Sequence, residues 1–364
     1  MRRIGKTSDI MGQICDYGNI SHSIDVVLSG KKRKRCRAGR YILAHRDEII
    51  ARLQKEISEG TFAITGYREM VVTDGPKQRV VQSVSLYERI GCNAIMHVVE
   101  KYLFPRYIRT TAASIKNRGI HDLKQQIERD IREDPKGTRF AYKYDYREFY
   151  KRIIQDLMME TLREIFKDKT LLTMLERFVR MMVSGLSIGL RSSQGFGNLF
   201  LSDIDHLLKD QYGLKYLYRY CDDGLALSDS KKKLWAIRNI THSKSAEKGL
   251  EIKPDERIFP TSQGIDMLGF VIYPTHTLLR KRNKKKAARR LHDIKSKKRR
   301  KQIMDSLYGQ CKHASCHHLF KTLTGKNMSD YSEKKPLRRL KDTGIKAKYE
   351  DGKKRFDGAE INIS

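Results

Sequence analysis

Long apolar runs are missing from this 364-residue chain. No stretch approaches the roughly 20 apolar residues that a membrane-spanning helix needs. The N-terminus lacks the apolar core of a signal peptide, so neither a membrane nor a secreted setting is expected. Cysteine is sparse. The six present show no paired spacing and read as reduced thiols of a cytosol. "CKHASCHH" gathers Cys311, His313, Cys316, His317 and His318. No second matching pair follows, as a zinc site usually requires, and the plainer reading is surface or helix residues. Internal repeats are absent. Acids are short as well, with 43 Asp+Glu against 75 Lys+Arg and a formal net charge of +32. An excess of this size implies a polyanionic partner, and without a membrane segment that partner is nucleic acid. Hydrophobic residues, at 39%, still suffice for a core shared by two or three domains.

What is present falls into an ordered series. Residues 1–40 read as a loosely ordered basic arm ending in "GKKRKRCRAGR", whose "KKRKR" touches phosphate. From Tyr41 to Glu59, Ile42, Leu43, Ile49, Ile50, Leu53 and Ile57 fall mostly on one helical face. "TFAITGYREMVVTDGPKQRVVQSVS" predicts two strands joined at "DGPK", and "LYERIGCNAIMHVVEKYLFPRY" a helix. "TRFAYKYDYREFYKRI" starts as a strand and becomes helical near Tyr146, and residues 152–185 read as helix. A Gly/Ser-rich loop, "SGLSIGLRSSQGFGN", then opens an amphipathic helix, and a further helix is expected over roughly 231–248. After Pro274 the composition changes. Between Arg280 and Lys301 stand fourteen lysines or arginines and one acid, Asp293, which predicts a basic helical module. Residues 326–364 are polar and expected to be mobile.

The chemistry concentrates at residues 216–228, "YLYRYCDDGLALS". Asp222 and Asp223 lie between two β-forming runs, and the Asp-Gly step predicts a hairpin turn at or beside them. Adjacent carboxylates repel, so they call for a bound cation unless they are a solvated hairpin tip. Asp145 ends the strand "FAYKYD". If that strand pairs with the one carrying Tyr216–Tyr220, three carboxylates meet and form a site for hard divalent ions, magnesium above all. Two such ions suit in-line attack of a hydroxyl on a phosphate. Up to this point polymerase and nuclease both remain open.

The order of segments from about residue 41 to 275 resembles that of reverse transcriptases. "KYDYREFY" is similar to the family's first palm motif, "YCDD" to its Tyr-X-Asp-Asp box, "GIDMLGFVI" to its primer-grip hairpin and "GPKQRVV" to its triphosphate-holding fingers strand. The resemblance implies an α+β right-hand polymerase that copies RNA into DNA. Its divisions would be a basic extension (1–40), fingers (41–139), a palm with an antiparallel sheet (140–275), a basic helical thumb (276–345) and a polar tail (346–364). Asp145 and Asp222 would bind two Mg2+ ions, replaceable by Mn2+, with Asp223 nearby and the Tyr146 carbonyl completing one ion. Lys77 and Arg79 would hold the dNTP phosphates. Tyr150 would stand against the sugar 2′-OH, and Leu268 and Gly269 against the primer. The proton donor to pyrophosphate is either Lys253 or Arg257, and Arg hardly releases a proton.

Within that family, "SIGLRSSQ" is the discriminating stretch. Most reverse transcriptases carry Gln-Gly and then Ser-Pro there, whereas this chain has Ile188-Gly189 and Ser193-Gln194. The pattern resembles that of diversity-generating retroelement reverse transcriptases of bacteria and their phages, within the group II intron-like and retron-like superfamily. Ile188, Gly189 and Gln194 would then lie at the incoming nucleotide. The resemblance implies error-prone copying of a template-repeat RNA opposite adenine for mutagenic retrohoming. It also implies a ring-forming, small, basic accessory protein as partner and a bacterial cytoplasm as location.

Overall fold

The computed structural model describes residues 9–74, 77–333, 348–350, 353–356 and 359–360. It divides into two compact units, Met1–Thr275 and His276–Ser364. No helix among the described residues is long and apolar enough to cross a membrane.

The first unit opens with helices α1 (Ile10–Cys15), α2 (Tyr17–Val27), α3 (Lys31–Arg35), α4 (Arg37–Ala44) and α5 (Arg46–Ser58). This corrects the expected loose arm. Ile10 and Ile14, then Ile20, Ile24 and Val27, recur at helical spacing and are buried, so the segment is anchored despite its polar composition. Only α3, "KKRKR", buries nothing. A hairpin of β1 (Arg68–Asp74) and β2 (Lys77–Ser83) follows, with Glu69 opposite Gln82 and Val72 opposite Arg79. Residues 75–76 of its expected turn lie outside the described residues. Helix α6 (Leu86–Leu103) starts at a capping box in which the Ser85 hydroxyl accepts from the Glu88 N–H and Glu88 accepts from the Ser85 N–H. It runs through the core with Ile90, Ile95, Met96, Val99 and Leu103 buried.

The remaining elements of this unit build a five-stranded sheet and its helical covers. They are β3 (Thr111–Ala112), α7 (Ile120–Glu133), β4 (Phe140–Asp145), α8 (Phe149–Arg152), α9 (Gln155–Ile165), α10 (Lys169–Val179), α11 (Arg191–Phe200), α12 (Ser202–His206), β5 (Tyr216–Tyr220), β6 (Asp223–Ser228), α13 (Lys231–Glu247) and β7 (Arg257–Pro260). The sheet order is β3-β5-β6-β4-β7. Only β3 and β5 run parallel. Side chains of β4 alternate as a strand requires. Tyr142 and Tyr144 are buried, while Lys143 and Asp145 remain partly exposed. A last hairpin, β8 (Ile265–Met267) and β9 (Phe270–Ile272), turns through Leu268 and Gly269, both at positive φ (58° and 86°), as a two-residue type I′ turn demands.

The second unit holds β10 (Thr277–Leu279), α14 (Lys281–His292), α15 (Lys297–Cys311), α16 (His317–Thr324) and α17 (Met328–Glu333). Its core is small, made of Leu291, Met304, Leu307, Phe320 and Tyr331. Helix α17 lies in a stretch expected to be mobile, yet Met328 and Tyr331 are buried. Cys311 and Cys316 are buried side by side, and the hydrogen bond from Cys311 pulls the Cys316 thiol pKa below the ordinary cysteine range. His317 and His318 are exposed and do not join them. Beyond, β11 (Lys348–Glu350), β12 (Lys353–Phe356) and β13 (Ala359–Glu360) pair in order in the segment expected as a polar tail, most of which lies outside the described residues.

Candidate active site

The site begins with strand pairing. β4 and β6 are antiparallel neighbours in a register that sets Asp145 directly opposite Asp223. β5 and β6 form the hairpin, and Tyr220 pairs with Asp223, so the turn is Cys221–Asp222. The acids thus stand at and beside a tight hairpin turn, as expected, although the turn is one step before Asp-Gly. Gly224 lies inside β6 for another reason. A Cβ there would come 2.2 Å from the ring of Tyr144, its partner on β4. The turn is tight enough to hold Cys221 at φ 56°, a left-handed conformation rare outside glycine.

Backbone hydrogen bonds fasten three separate segments around the acids. The Tyr146 N–H donates to the Asp222 carbonyl (3.3 Å), and the Lys253 N–H donates to the Asp145 carbonyl (2.8 Å). Tyr146 also bridges to Ile252, and its buried hydroxyl meets Ser245 of α13 at 3.0 Å. Beneath the turn, Arg219 is 1% exposed and its Nε donates to the equally buried Asp205 at 2.7 Å. The same guanidinium donates to the Cys221 carbonyl (3.0 Å), to Asn198 Oδ1 (2.9 Å) and to the Asn198 carbonyl (3.0 Å). This cation escaped the sequence reading. The available signal was a lone arginine inside a strand otherwise made of Leu and Tyr, because a buried charge needs a partner.

The acids are strongly biased. Burial first, then the charges of Asp145 and Asp223, push Asp222 up to about 6. Asp145 Oδ1 is buried and accepts no hydrogen bond. Its other oxygen accepts from Lys253 Nζ, and Lys143 Nζ lies 2.9 Å from Asp223. Among the described residues no three His, Cys, Asp or Glu side chains stand together as a finished metal cage. The expected pairing of the Asp145 strand with the strand of Tyr216–Tyr220 is not the one formed: β6 lies between them and sets Asp145 opposite Asp223, and in the side chains Asp145 faces Lys253 while Asp223 faces Lys143. The donor set suits a hard divalent cation: oxygen ligands, one of them buried without a partner, and mutual repulsion that a cation would relieve.

The other expected site residues divide into those near the acids and those apart. The Tyr150 hydroxyl contacts Cys221 Sγ at 3.0 Å, next to Asp222. Burial, then the Cys221 sulfur, raises its pKa well above the ordinary tyrosine value. Leu186 of the 185–190 loop donates its N–H to the Tyr150 carbonyl at 2.7 Å. Further along that loop, Ile188 is half-buried and Gly189 is exposed with φ 122°. Gln194 is exposed on α11 and accepts a hydrogen bond from the Ser114 hydroxyl. Arg79 is exposed on β2. Lys77 opens the same strand, and its side chain lies outside the described residues. Leu268 and Gly269 form the β8–β9 turn described above. Of the two candidate proton donors, only Lys253 reaches the acids. Arg257 is exposed, its guanidinium 4.5 Å from the Phe259 ring centroid.

A mainly antiparallel sheet with helical covers, carrying acids at facing ends of neighbouring strands, defines a right-hand polymerase fold. The chain belongs to the reverse transcriptase family: the model described as "Reverse transcriptase (RNA-dependent DNA polymerase)" matches residues 77–272, more than half of its length. Members of that family generally depend on divalent metal. No curated protein matches it. Among solved structures it is similar to apo telomerase from Candida tropicalis, at 11% identity and a TM-score of 0.48, covering 73% of this chain and 57% of that one. A version of that protein truncated from its C-terminal domain matches at 13% identity and 0.44, covering 60% and 55%. Telomerase from Candida albicans in complex with a fragment of telomeric RNA matches at 11% and 0.46, covering 76% and 59%. The chain spans between 55% and 59% of the length of these proteins.

Proposed function

We propose that this polymerase copies a template-repeat RNA into cDNA with frequent errors opposite adenine, as diversity-generating retroelement enzymes do, and that the cDNA serves mutagenic retrohoming. One observation carries this reading. Ile188 presents an aliphatic side chain, and both its backbone polar groups are engaged elsewhere: its N–H donates to Gln82 Oε1 and its carbonyl accepts from the Gln82 N–H, each at 2.8 Å. Nothing polar at position 188 is left to check a nascent base pair. The Ile-Gly…Ser-Gln pattern supports the same subtype.

In this reading Asp145 and Asp222 hold two divalent ions, Mg2+ or Mn2+, with Asp223 and the Tyr146 carbonyl beside them. Bound there, such ions would supply Lewis acidity at the primer 3′-hydroxyl and charge neutralisation at the leaving pyrophosphate. Lys253, held at Asp145, supplies the proton that pyrophosphate takes up. Tyr150, fixed through Cys221, excludes a sugar 2′-OH by its bulk. Lys77 and Arg79 neutralise the triphosphate, and Leu268 and Gly269 support the primer. The basic helices of residues 276–333 hold the RNA/cDNA duplex through its phosphates, contacts that weaken with salt. A small, basic accessory protein in the bacterial cytoplasm completes the set of partners.

The test is Ile188→Gln, followed by sequencing of cDNA made from a defined RNA template. Misincorporation opposite template adenine is expected to drop while most activity remains. Unchanged adenine errors would instead point to an intron-like or retron-type enzyme of ordinary fidelity.

A further inference from the structure

The loop of residues 185–190 is fastened at both ends. Gly185 has φ 66°, and a Cβ there would come 2.6 Å from the Tyr150 carbonyl oxygen, to which the next residue donates. At the other end the fastener is Gln82. Its side chain belongs to a strand of a hairpin whose described residues are mostly exposed, yet the residue is only 5% exposed. Gln82 exchanges two hydrogen bonds with Ile188, one through its backbone and one through its side-chain oxygen. Its amide nitrogen donates across the hairpin to Glu69 Oε1 at 3.2 Å, so the amide has a defined orientation. Gly189 then passes so close to β2 that a Cβ would lie 2.7 Å from Val81 Cγ1 and 2.8 Å from the Gln82 carbonyl oxygen.

We infer that Gln82 is a positioning residue for nucleotide selection: it locks the Ile188–Gly189 segment between β2 and Tyr150, and so fixes the wall against which the incoming nucleotide is judged. This rests on the reading of residues 188–194 as nucleotide-contacting. Glu69 is the second member of the lock, because it holds the Gln82 amide with its oxygen toward Ile188. A hydrogen bond of this kind contributes enough to shift an equilibrium about three- to tenfold.

The experiment compares four proteins in steady-state single-nucleotide insertion and in cDNA sequencing: wild type, Gln82→Met, the exchange pair Glu69→Gln with Gln82→Glu, and Ile188→Gln. Gln82→Met removes the acceptor for the Ile188 N–H at similar volume. It should raise KM for dNTPs about three- to tenfold with kcat little changed, and increase errors opposite template adenine by a similar factor. The exchange pair keeps an acceptor for the Ile188 N–H and rebuilds the hydrogen bond between positions 69 and 82 with donor and acceptor reversed, and should return KM and errors to near the wild-type values. If Gln82→Met leaves both unchanged while Ile188→Gln alters the error spectrum, the lock is refuted and the reading of the loop stands. If Gln82→Met shifts KM and errors while Ile188→Gln shifts nothing, the lock stands and the assignment of infidelity to Ile188 falls. If neither substitution moves either readout, both ideas fall. A fall in kcat with KM unchanged, not rescued by the exchange pair, marks a merely structural glutamine and overturns the inference. Should Gln82→Met fail to fold, Gly189→Ala displaces the loop with every hydrogen-bonding side chain intact. It must then reproduce the KM shift, and an unchanged KM refutes the lock.

Discussion

Replacing Arg219 by Met should be among the most damaging changes outside the acids, and its cost can be reasoned from the structure. The guanidinium and Asp205 are both about 1% exposed. The substitution leaves Asp205 buried without its cation and also removes the donors to Asn198 and to the Cys221 carbonyl. Breaking one side of a buried pair costs about 3–5 kcal/mol, a large part of the roughly 5–15 kcal/mol by which domains are stable. Burial already raises the Asp205 pKa against the pull of Arg219. Without Arg219 it rises further, so the folded state binds the proton more tightly than the unfolded state. Stability is then fully retained only below the unfolded carboxylate range and falls as pH rises through the folded pKa, making the variant weaker at pH 8 than at pH 5. Urea unfolding followed by circular dichroism at both pH values measures this. Adding Asp205→Asn removes the stranded charge and should restore roughly 2 kcal/mol. It should not restore primer extension, because the Cys221 carbonyl still lacks its donor and the turn carrying Asp222 is left unsupported. A loss under about 1 kcal/mol for Arg219→Met would refute the buried pair. Wild-type extension by the double variant would refute the positioning of the turn.

Other outcomes follow from the same geometry. Asp145→Asn or Asp222→Asn should abolish extension of an oligo-dT primer on poly-rA with dTTP and Mg2+ while leaving RNA binding in a filter assay unchanged; loss of both would make the acids structural. Gly224→Ala forces a methyl into the Tyr144 ring and should cost about 1–3 kcal/mol in denaturant unfolding, as overpacking does. Lys253→Arg keeps a cation at Asp145 but supplies no proton, so its extension rate should fall nearly as far as that of Lys253→Met, whereas Arg257→Met should extend normally. Because Asp222 is pushed up to about 6, the ion-free protein loses stability as pH rises through that value. Mg2+ should therefore raise the melting temperature more at pH 7.5 than at pH 5, and EDTA should reverse the gain.

Much of this architecture could be read from residue order because strand alternation is a strong constraint. Tyr142 and Tyr144 against Lys143 and Asp145 already separate a buried face from an open one, and the two Asp-bearing strands then have few ways to meet. The N-terminal helices were hidden because their isoleucines are diluted by polar and basic neighbours, and composition outweighed periodicity. A turn at the acids is legible from the Asp-Gly step, but its placement one step earlier is not, because the space demanded by Tyr144 at Gly224 belongs to another strand 80 residues away. Lys253 could not be separated from Arg257 by spacing, since their difference arises from where the chain leaves the sheet. Arg219 and Gln82 act through partners distant in sequence, and a single chain carries no mark of such pairing beyond an ill-fitting polar residue in an apolar strand.

The main-chain links among Asp145, Tyr146, Asp222 and Lys253 have a consequence for how such an enzyme drifts. Amide and carbonyl groups are common to nearly every amino acid, so these links survive almost any exchange except one to proline. Lineages can revise the side chains around the acids, and with them copying accuracy or substrate taste, without dismantling the frame that holds the acids. A protein of this family can thus accumulate changes in its own gene and keep the frame on which its acids stand.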